Sequence, residues 1–302
     1  MSRIDFEGKV AVITGAGSGF GREFARLGAE LGMSLVLADV QADALQAVSD
    51  ELNARGTRVL ARVVDVADAT EVDAWAAATF AEFGEVHLLF NNAGVGTAGL
   101  IWENSLADWQ WTLGVNLWGV IHGMRAFVPR MLESARASSD YRAHIVNTAS
   151  MAGLVNPPVS GVYNVSKHAV VSLSETLYHD LGLVTDQVHC SVLCPFYVPT
   201  GISQSQRNRP VGVSNAGPST RSQRVAQAIT DKAVSSGKLS AVDVAHMTFK
   251  AIREGAFYIA SHPQALEGVR QRADDIVALR NPTDPLAAKP GLRESLVEAL
   301  RG

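Results

Sequence analysis

Tyr163 and Lys167 are the two residues of this chain whose types and spacing most directly suggest chemistry. They stand four positions apart in a segment with helical periodicity, so both side chains would lie on one face of a helix. A free phenol has a pKa near ~10, too high for easy proton exchange at neutral pH, and a neighbouring ammonium would lower it. Tyr163 is therefore a candidate general acid/base tuned by Lys167, and Ser150 could hydrogen-bond the same reacting oxygen. The alternative is a surface tyrosine beside a solvated lysine.

A glycine-rich turn near the N-terminus stands between a predicted strand and a predicted helix. The apolar run 9–13 predicts a parallel strand buried on both faces, and Gly15, Gly17, Gly19 and Gly21 follow it at once. Glycines allow a tight turn and a close approach to a ligand, and the N-terminus of the next helix offers free N–H groups to a pyrophosphate. This context favours dinucleotide binding over a plain tight turn.

An acid at the end of the second predicted strand indicates which dinucleotide binds. Asp39 follows the run 34–38, about 20 residues past the glycine turn, where a carboxylate can accept both ribose hydroxyls of NAD. It would repel the additional phosphate of NADP, and neither Ser18 nor Val40 supplies a positive charge to hold that phosphate. The sequence therefore predicts NAD, with NADP disfavoured.

Strand and helix patterns alternate along most of the chain. The predicted strands are 9–13, 34–38, 59–64, 86–90, 143–147, 188–194 and 256–259, and the predicted helices are 22–31, 42–55, 69–83, 105–134 and 163–181. Repeated strand–helix units with short links predict an α/β fold with a doubly wound parallel sheet of about seven strands. In such a sheet ligands bind at the carboxyl ends of the strands, which is where the motifs fall.

The motifs taken together resemble the short-chain dehydrogenase/reductase family over roughly residues 6–260. The resemblance rests on the glycine turn 14–21, Asp65, the run Asn-Asn-Ala-Gly at 91–94, Asn116, Ser150, Tyr163 with Lys167, and Pro195. It implies a Rossmann-type sheet and an NAD(P)-dependent oxidoreductase. It also implies a homodimer or homotetramer that pairs the two long helices, 105–134 and 163–181.

The resemblance also implies roles for individual residues. Tyr163 would exchange the proton of the substrate oxygen, Ser150 would hold that oxygen, and Lys167 would lower the Tyr163 pKa and bind the nicotinamide ribose. Asn116 would anchor a water in a proton relay to Lys167. The implied cofactor contacts beyond Tyr163 and Lys167 are Gly15, Ser18, Gly19, Phe20, Gly21, Asp39, Asp65, Val66, Asn92, Ala93, Gly94, Pro195, Val198 and Thr200.

Two positions depart from the family pattern. Phe196 follows Pro195 where a glycine is usual, and this ring would either reshape the nicotinamide side of the pocket or pack outward. Phe20 stands where Ile or Leu is usual and is expected in the core. The expected substrate pocket is mostly apolar, which predicts a hydrophobic or bulky alcohol or ketone. Its expected lining is Val95, Ser150, Met151, Val155, Asn156, Phe196 and Tyr197.

The expected organisation is one domain over residues 1–260, followed by a helical extension over 261–302 that is not an independent domain. Residues from about 196 to 240 are expected to form a flexible lid, because glycines and prolines interrupt most of this segment. Arg207, Arg209, Arg221 and Arg224 fall within a lid stretch that has no acid, so an electropositive lid is the alternative to a solvated loop. The extension resembles that of family members that act on aromatic or otherwise bulky secondary alcohols, and the alternative is an oligomer contact or a covering arm.

Composition excludes several classes of protein. A formal charge of −4 over 302 residues argues against nucleic acid as the main partner, and no apolar run is long enough to span a membrane. Residues 1–9 do not resemble a signal peptide, and the eight histidines show no metal-ligand spacing. Cys190 and Cys194 on one strand would be ~13 Å apart, too far for a disulfide. These features predict a cytoplasmic protein without a metal.

The sequence therefore predicts an NAD-dependent oxidoreductase acting on a small-molecule secondary alcohol or ketone. The competing enzyme is a 3-oxoacyl-thioester reductase, which would prefer NADPH, and Asp39 argues against that cofactor. A competitor of another class is a catalytically idle, cofactor-sensing binding protein on the same fold. Such a protein would typically lack Tyr163 or Lys167, and both are present.

Overall fold

Seven parallel strands form a single sheet in the computed structural model, which describes residues 4–215, 217–287 and 289–301. The strand order is β3-β2-β1-β4-β5-β6-β7. The strands are β1 Val10–Thr14, β2 Ser34–Asp39, β3 Val59–Val63, β4 Leu88–Asn91, β5 Ala143–Thr148, β6 Val188–Cys194 and β7 Tyr258–Ala260. The order reverses between β1 and β4, and this switch point opens a crevice at the carboxyl ends of the strands.

Ten α-helices accompany the sheet within the described residues. They are α1 Gly19–Glu30, α2 Ala42–Ala54, α3 Ala69–Phe83, α4 Leu106–Leu113, α5 Gly119–Ala137, α6 Gly161–Val184, α7 Arg221–Ser235, α8 Ala241–Glu254, α9 Leu266–Val277 and α10 Pro290–Arg301. Every residue of β1 and β5 is buried, because helices cover both faces of the sheet. Both the doubly wound fold and its seven strands were predicted, and they are confirmed.

Each face of the sheet carries its own apolar core. On one face Phe24 of α1 stacks on Phe90 of β4 with ring centroids 4.7 Å apart, and Phe90 also packs against Phe249 of α8. On the other face Trp75 of α3 packs edge-on against Phe127 of α5 at 5.4 Å. These clusters fix the strands between two helical layers, so the carboxyl ends of the strands form a rigid rim.

The long helix predicted over 105–134 is divided in the structure. A π-helical turn, Gly114–Trp118, separates α4 from α5 and carries Asn116. The Asn116 carboxamide forms hydrogen bonds with both the backbone N–H and the backbone carbonyl of Val95. Single π turns are frequent at functional sites because they re-aim one side chain without ending the helix. Sequence periodicity does not register a one-residue insertion of this kind.

The segment expected to be a flexible lid is partly regular. It contains a 3₁₀ stretch, Gly201–Asn208, and α7, which begins with a capping box formed by Thr220 and Gln223. Arg209 is not a free cation on this segment. Its guanidinium lies 2.6 Å from the Asp108 carboxylate, with 6 % and 3 % of the two side chains exposed. The buried ion pair fastens this segment to α4.

The Asp108 carboxylate is also held from its own helix and from the lid. Ser105 donates its backbone N–H to Asp108 at 2.9 Å, and the Asn215 side chain donates at 3.1 Å. Burial acts to raise the pKa of Asp108, but the hydrogen bond from Arg209 and those from its neighbours lower the pKa overall. The carboxylate therefore stays charged against Arg209, and the lid is less electropositive than its arginine content suggests.

The described residues also show the state of the two cysteines and the character of the helices. Cys190 and Cys194 are buried free thiols on β6, so the prediction that they form no disulfide with each other is confirmed. Among residues 4–215, 217–287 and 289–301, no helix has the length and apolar character needed to cross a bilayer.

Replacing Arg209 with Met is expected to lower thermal stability. The change leaves the Asp108 charge buried without its cation, at a cost of about 3 kcal/mol, so we expect Tm to fall by about 5 °C or more. Scanning calorimetry measures this fall. Arg224→Met is the matched control, because Arg224 is exposed and, within the described residues, its guanidinium donates only to the Ser219 carbonyl. Equal Tm values for the two variants would contradict the buried clamp.

Candidate active site

A cavity of about 550 Å³ lies at the carboxyl ends of the strands, on both sides of the β1/β4 switch point. It takes in nearly all of the residues expected to bind cofactor or substrate. Gly21, Asn116 and Asn156 are the exceptions. Gly21 and Asn116 lie directly behind the wall and support residues that line it. Asn156 is exposed outside the cavity, because the chain next to it turns outward before Pro157 returns to the wall.

The glycine turn packs so closely against the segment after β4 that larger residues do not fit. A Cβ added at Gly15, where φ is +67°, would lie 2.9 Å from the Cα of Ala93. A Cβ at Gly21 would lie 2.1 Å from the Gly15 carbonyl oxygen and 2.8 Å from Nδ2 of Asn92. The turn is therefore a cradle defined by backbone, in which a phosphate could approach N–H groups closely.

The N-terminus of α1 is open toward this cradle. Ser18 is its N-cap residue, but its side chain makes no capping hydrogen bond and no acid occupies the first turn. Ser18, Gly19 and Phe20 line the cavity at this point. Unpaired helix N–H groups and the helix dipole both favour an anion there. The cradle and the open helix end fit the pyrophosphate of a dinucleotide.

Asp39 lies at the end of β2 with its carboxylate fixed from two sides. Oδ2 accepts the Gly17 N–H at 2.8 Å, and Oδ1 accepts the Gln41 N–H at 2.9 Å. The residue is buried yet lines the cavity, so its remaining lone pairs face the ligand space. A fixed carboxylate fits an adenosine ribose with two free hydroxyls and disfavours a phosphate there. Asp65 and Val66 line the same end of the cavity.

Tyr163 and Ser150 meet in the middle of the cavity. Ser150 follows β5, where its Oγ accepts the Ala152 N–H at 3.1 Å, and Tyr163 lies in the first turn of α6. Burial raises the pKa of Tyr163 to about 12, although a hydrogen bond with Ser150 acts in the opposite direction. The sequence predicted a lowered pKa for this phenol, and in the structure burial outweighs the groups that would lower it.

Lys167 lies one helical turn after Tyr163 and is removed from water. Only 2 % of the residue is exposed, and its Nζ donates to the Thr148 carbonyl oxygen at 2.8 Å. The ammonium is 5.7 Å from the centre of the Tyr163 ring. Burial lowers the pKa of Lys167 to about 8. The ammonium is therefore close to the phenol, but its hydrogen bond goes to β5.

Asn116 supports this pair from the π turn. Its Nδ2 donates to the Val95 carbonyl at 2.9 Å and to the Ser166 hydroxyl at 3.0 Å, while its Oδ1 accepts the Val95 N–H at 2.8 Å. A Cβ built on Gly94 would lie 3.5 Å from both the Asn116 Oδ1 and the Lys167 Nζ. Asn116 and Lys167 thus flank one small space, and Gly94 keeps that space open.

The other half of the cavity is mostly apolar. Val95, Met151, Val155 and Tyr197 line it, and Phe196 lines it while remaining 39 % exposed. Its ring also packs edge-on against His262, with the ring centres 5.6 Å apart. Phe20 is partly buried against the core and also lines the cavity.

Several residues that line the cavity or support its wall from behind were not predicted from the sequence. Trp111 of α4 lines the cavity and lies under the Arg209 guanidinium, 5.1 Å from its ring centre. Thr14 lies behind the glycine cradle, where its Oγ1 accepts the N–H groups of Asn92 and Ala93. The third group comes from the C-terminal extension: Pro285, Leu286, Lys289 and Leu292. The place of Thr14 at the end of a buried strand could have identified it as a supporting residue. No local sequence pattern indicates that the C-terminal extension lines the cavity.

Comparison with known proteins identifies relatives along nearly the whole chain. A family model described as short chain dehydrogenase matches residues 9–210. A short chain dehydrogenase/reductase from Burkholderia phymatum, solved in complex with NAD, is 56% identical, with a TM-score of 0.91 over 94% of this chain and 99% of that one. A C alpha-dehydrogenase of a Sphingobium species is 31% identical over 98% of this chain and 93% of its own. A 1-deoxy-11-beta-hydroxypentalenate dehydrogenase of Streptomyces exfoliatus is 35% identical over 89% and 88%.

Replacing Gly21 with Ala is expected to damage the cradle. The added methyl would displace either the Gly15 carbonyl or Asn92, so we expect NAD affinity to fall by at least about tenfold. Calorimetric titration measures this affinity, and circular dichroism checks that the variant is folded. Gly182→Ala serves as the control, because a Cβ at that position meets nothing within 4 Å. Unchanged affinity in Gly21→Ala would contradict the assignment of the cradle.

Proposed function

The chain belongs to the short-chain dehydrogenase/reductase family, and from this membership we propose that it interconverts a secondary alcohol and its ketone. It is an oxidoreductase of that family. The observation that carries the proposal is the cluster of Tyr163, Ser150 and Lys167 in the same cavity as the glycine cradle. NAD is the cofactor, in agreement with the Burkholderia phymatum relative. When bound, NAD supplies the nicotinamide that accepts or gives the hydride.

Each proposed catalytic residue acts either on the substrate oxygen or on the Tyr163 hydroxyl beside it. The Tyr163 hydroxyl gives a proton to the substrate oxygen in ketone reduction and takes it in alcohol oxidation. The Ser150 hydroxyl holds the same oxygen, so that negative charge developing there meets a preorganised donor. Lys167 adds a positive charge near the phenol, which favours the phenolate needed for oxidation.

The Asn116 amide has a positioning role in this scheme. Its hydrogen bonds to Val95 and Ser166 hold the loop after β4 against α6, which is the helix that carries Tyr163 and Lys167. Its Oδ1 beside the small space at Gly94 could bind a water that relays a proton to Lys167. Such a relay would return the proton of Tyr163 to solvent without opening the cavity.

The form of the cofactor separates this proposal from the 3-oxoacyl-thioester reductase. That reaction class would use NADPH, and a phosphate on the ribose would meet the fixed Asp39 carboxylate. Arg207 reaches the same end of the cavity, where its guanidinium donates to the carbonyls of Gly201 and Gln204 at 2.8 Å each and its Nε lies 3.4 Å from Gln41 Oε1. These neutral contacts leave the charge of Arg207 in place, so it is the fixed Asp39 carboxylate that favours the NAD-dependent alcohol dehydrogenase.

The substrate class follows from the apolar half of the cavity. Trp111, Met151, Val155 and Phe196 offer carbon surface around the reacting groups, which suits a hydrophobic or bulky alcohol. The relative from Streptomyces exfoliatus is named as a dehydrogenase of a hydroxypentalenate, which supports a substrate larger than a simple alcohol.

Assembly and location remain predictions. Trp118, Val165 and Tyr178 are exposed apolar residues on or beside the two long helices, which supports pairing of α5 and α6 in a homodimer or homotetramer. The free thiols of Cys190 and Cys194 are compatible with a reducing compartment such as the cytoplasm.

Replacing Tyr163 with Phe separates the enzyme from a cofactor-sensing protein. We expect oxidation of secondary alcohols to fall by at least about a hundredfold, because the proton has no other acceptor at that position. NAD affinity should change little, since the phenol contributes only part of the cofactor site. Turnover on an alcohol panel and calorimetric NAD binding measure the two quantities. A wild-type protein that binds NAD but turns over no alcohol or ketone would favour the sensor.

A further inference from the structure

The C-terminal extension is folded back on itself by a buried acid. Asp275 near the end of α9 is 4 % exposed and accepts the Thr283 N–H at 2.9 Å. It also accepts from the Gln271 side chain at 3.0 Å and from Arg280 Nε at 3.1 Å. A carboxylate with these partners fixes the turn between α9 and the residues that follow, so the extension has a defined path.

The returning segment forms part of the cavity wall. Asp284 accepts the Leu286 N–H at 2.8 Å and pairs with Arg293 of α10 at 2.6 Å. Leu296 of α10 is 7 % exposed, and α10 packs against α7. Between these fixed points the segment contributes its wall residues, Pro285, Leu286, Lys289 and Leu292. The extension is therefore built into the substrate half of the cavity.

The charged residues of the wall are unevenly distributed. Within the described residues the charged groups that line the cavity are Asp39, Asp65, Lys167, Arg207 and Lys289. The two acids and Arg207, whose Nε lies 3.4 Å from Gln41 Oε1, belong to the adenosine end, and Lys167 belongs to the catalytic group. Lys289 is the remaining charge. Among the parts of the chain that the structure describes, its ammonium has no hydrogen bond and no ion pair.

We propose that the natural substrate is an apolar secondary alcohol or ketone that carries a carboxylate remote from the reacting carbon, and that Lys289 binds this carboxylate. The inference rests on the proposed function and names its substrate class. Lys289 is exposed, and the wall residues beside it in the extension, Pro285, Leu286 and Leu292, are apolar, so its ammonium matches one negative charge while the two leucines cover a carbon body. Among the described residues that line the cavity, the two acids lie at the adenosine end, so none of them opposes an anion beside Lys289.

The test compares acids with their esters. The substrates are (ω−1)-hydroxy acids of increasing chain length and 1-phenylethanols with a ring carboxylate, each beside its methyl ester. Wild-type protein saturated with NAD should prefer the best acid over its ester by about fivefold in kcat/KM, the range of a partly exposed ion pair. Lys289→Gln should remove this preference by lowering kcat/KM for the acid alone. Lys289→Glu should reverse it.

Controls separate charge recognition from structural damage. Lys238→Gln removes an exposed lysine that does not line the cavity, and it should keep the wild-type preference. NAD affinity of Lys289→Gln, measured by calorimetry, should equal that of wild type. Equal loss on acids and esters, or weaker NAD binding, would overturn the proposal and assign Lys289 to the fold or to the cofactor.

A binding measurement distinguishes failure of this inference from failure of the proposed function. Each acid and ester is titrated into the protein saturated with NAD. Tighter binding of the acid that disappears in Lys289→Gln supports the carboxylate site even if no alcohol is oxidised. Equal affinity of wild type for acid and ester across both series overturns it, whatever the turnover.

Discussion

The site depends on keeping one cation, the ammonium of Lys167, out of water. Desolvation of an ammonium is costly, and here the hydrogen bond of its Nζ at 2.8 Å is to the Thr148 carbonyl. Burial accordingly lowers the pKa of Lys167 to about 8. That bond requires the end of β5 to face the first turns of α6, and Asn116 ties the loop after β4 to the same helix. The π turn, the strand end and the helix are thus fixed around one charge.

Burial also explains the difference between the expected and observed state of Tyr163. From the sequence, the neighbouring lysine predicted a lowered pKa for the Tyr163 phenol. The spacing of two residues indicates that they are close together, but it does not indicate how far they are removed from water. In the folded protein burial raises the pKa of Tyr163 to about 12, and the Lys167 hydrogen bond goes to β5. The phenol therefore holds its proton more tightly than a free phenol does.

The parts of the molecule that can be predicted from the sequence are those that have a local sequence pattern. The buried strands and the glycine cradle follow from apolar runs and from Gly15 and Gly21, because a parallel sheet brings the ends of its strands together. The order of the strands in the sheet was not predicted. The clamp between Asp108 and Arg209 joins positions 101 residues apart, and the wall around Lys289 depends on how the extension turns back. Neither contact has a periodic sequence pattern, so the packing of the 196–240 segment and of the C-terminal extension could not be predicted from the sequence.

The proposed exchange of the substrate-oxygen proton by the partly buried Tyr163 can be tested by the pH dependence of alcohol oxidation. The measurement is kcat/KM from pH 6 to pH 10 with NAD and the best secondary alcohol. Because oxidation needs the phenolate, and burial raises the phenol pKa, we expect a steep rise with pH, approaching about tenfold per unit below the apparent pKa. A profile that is flat from pH 6 to pH 9, or highest at pH 7 or below, would contradict it.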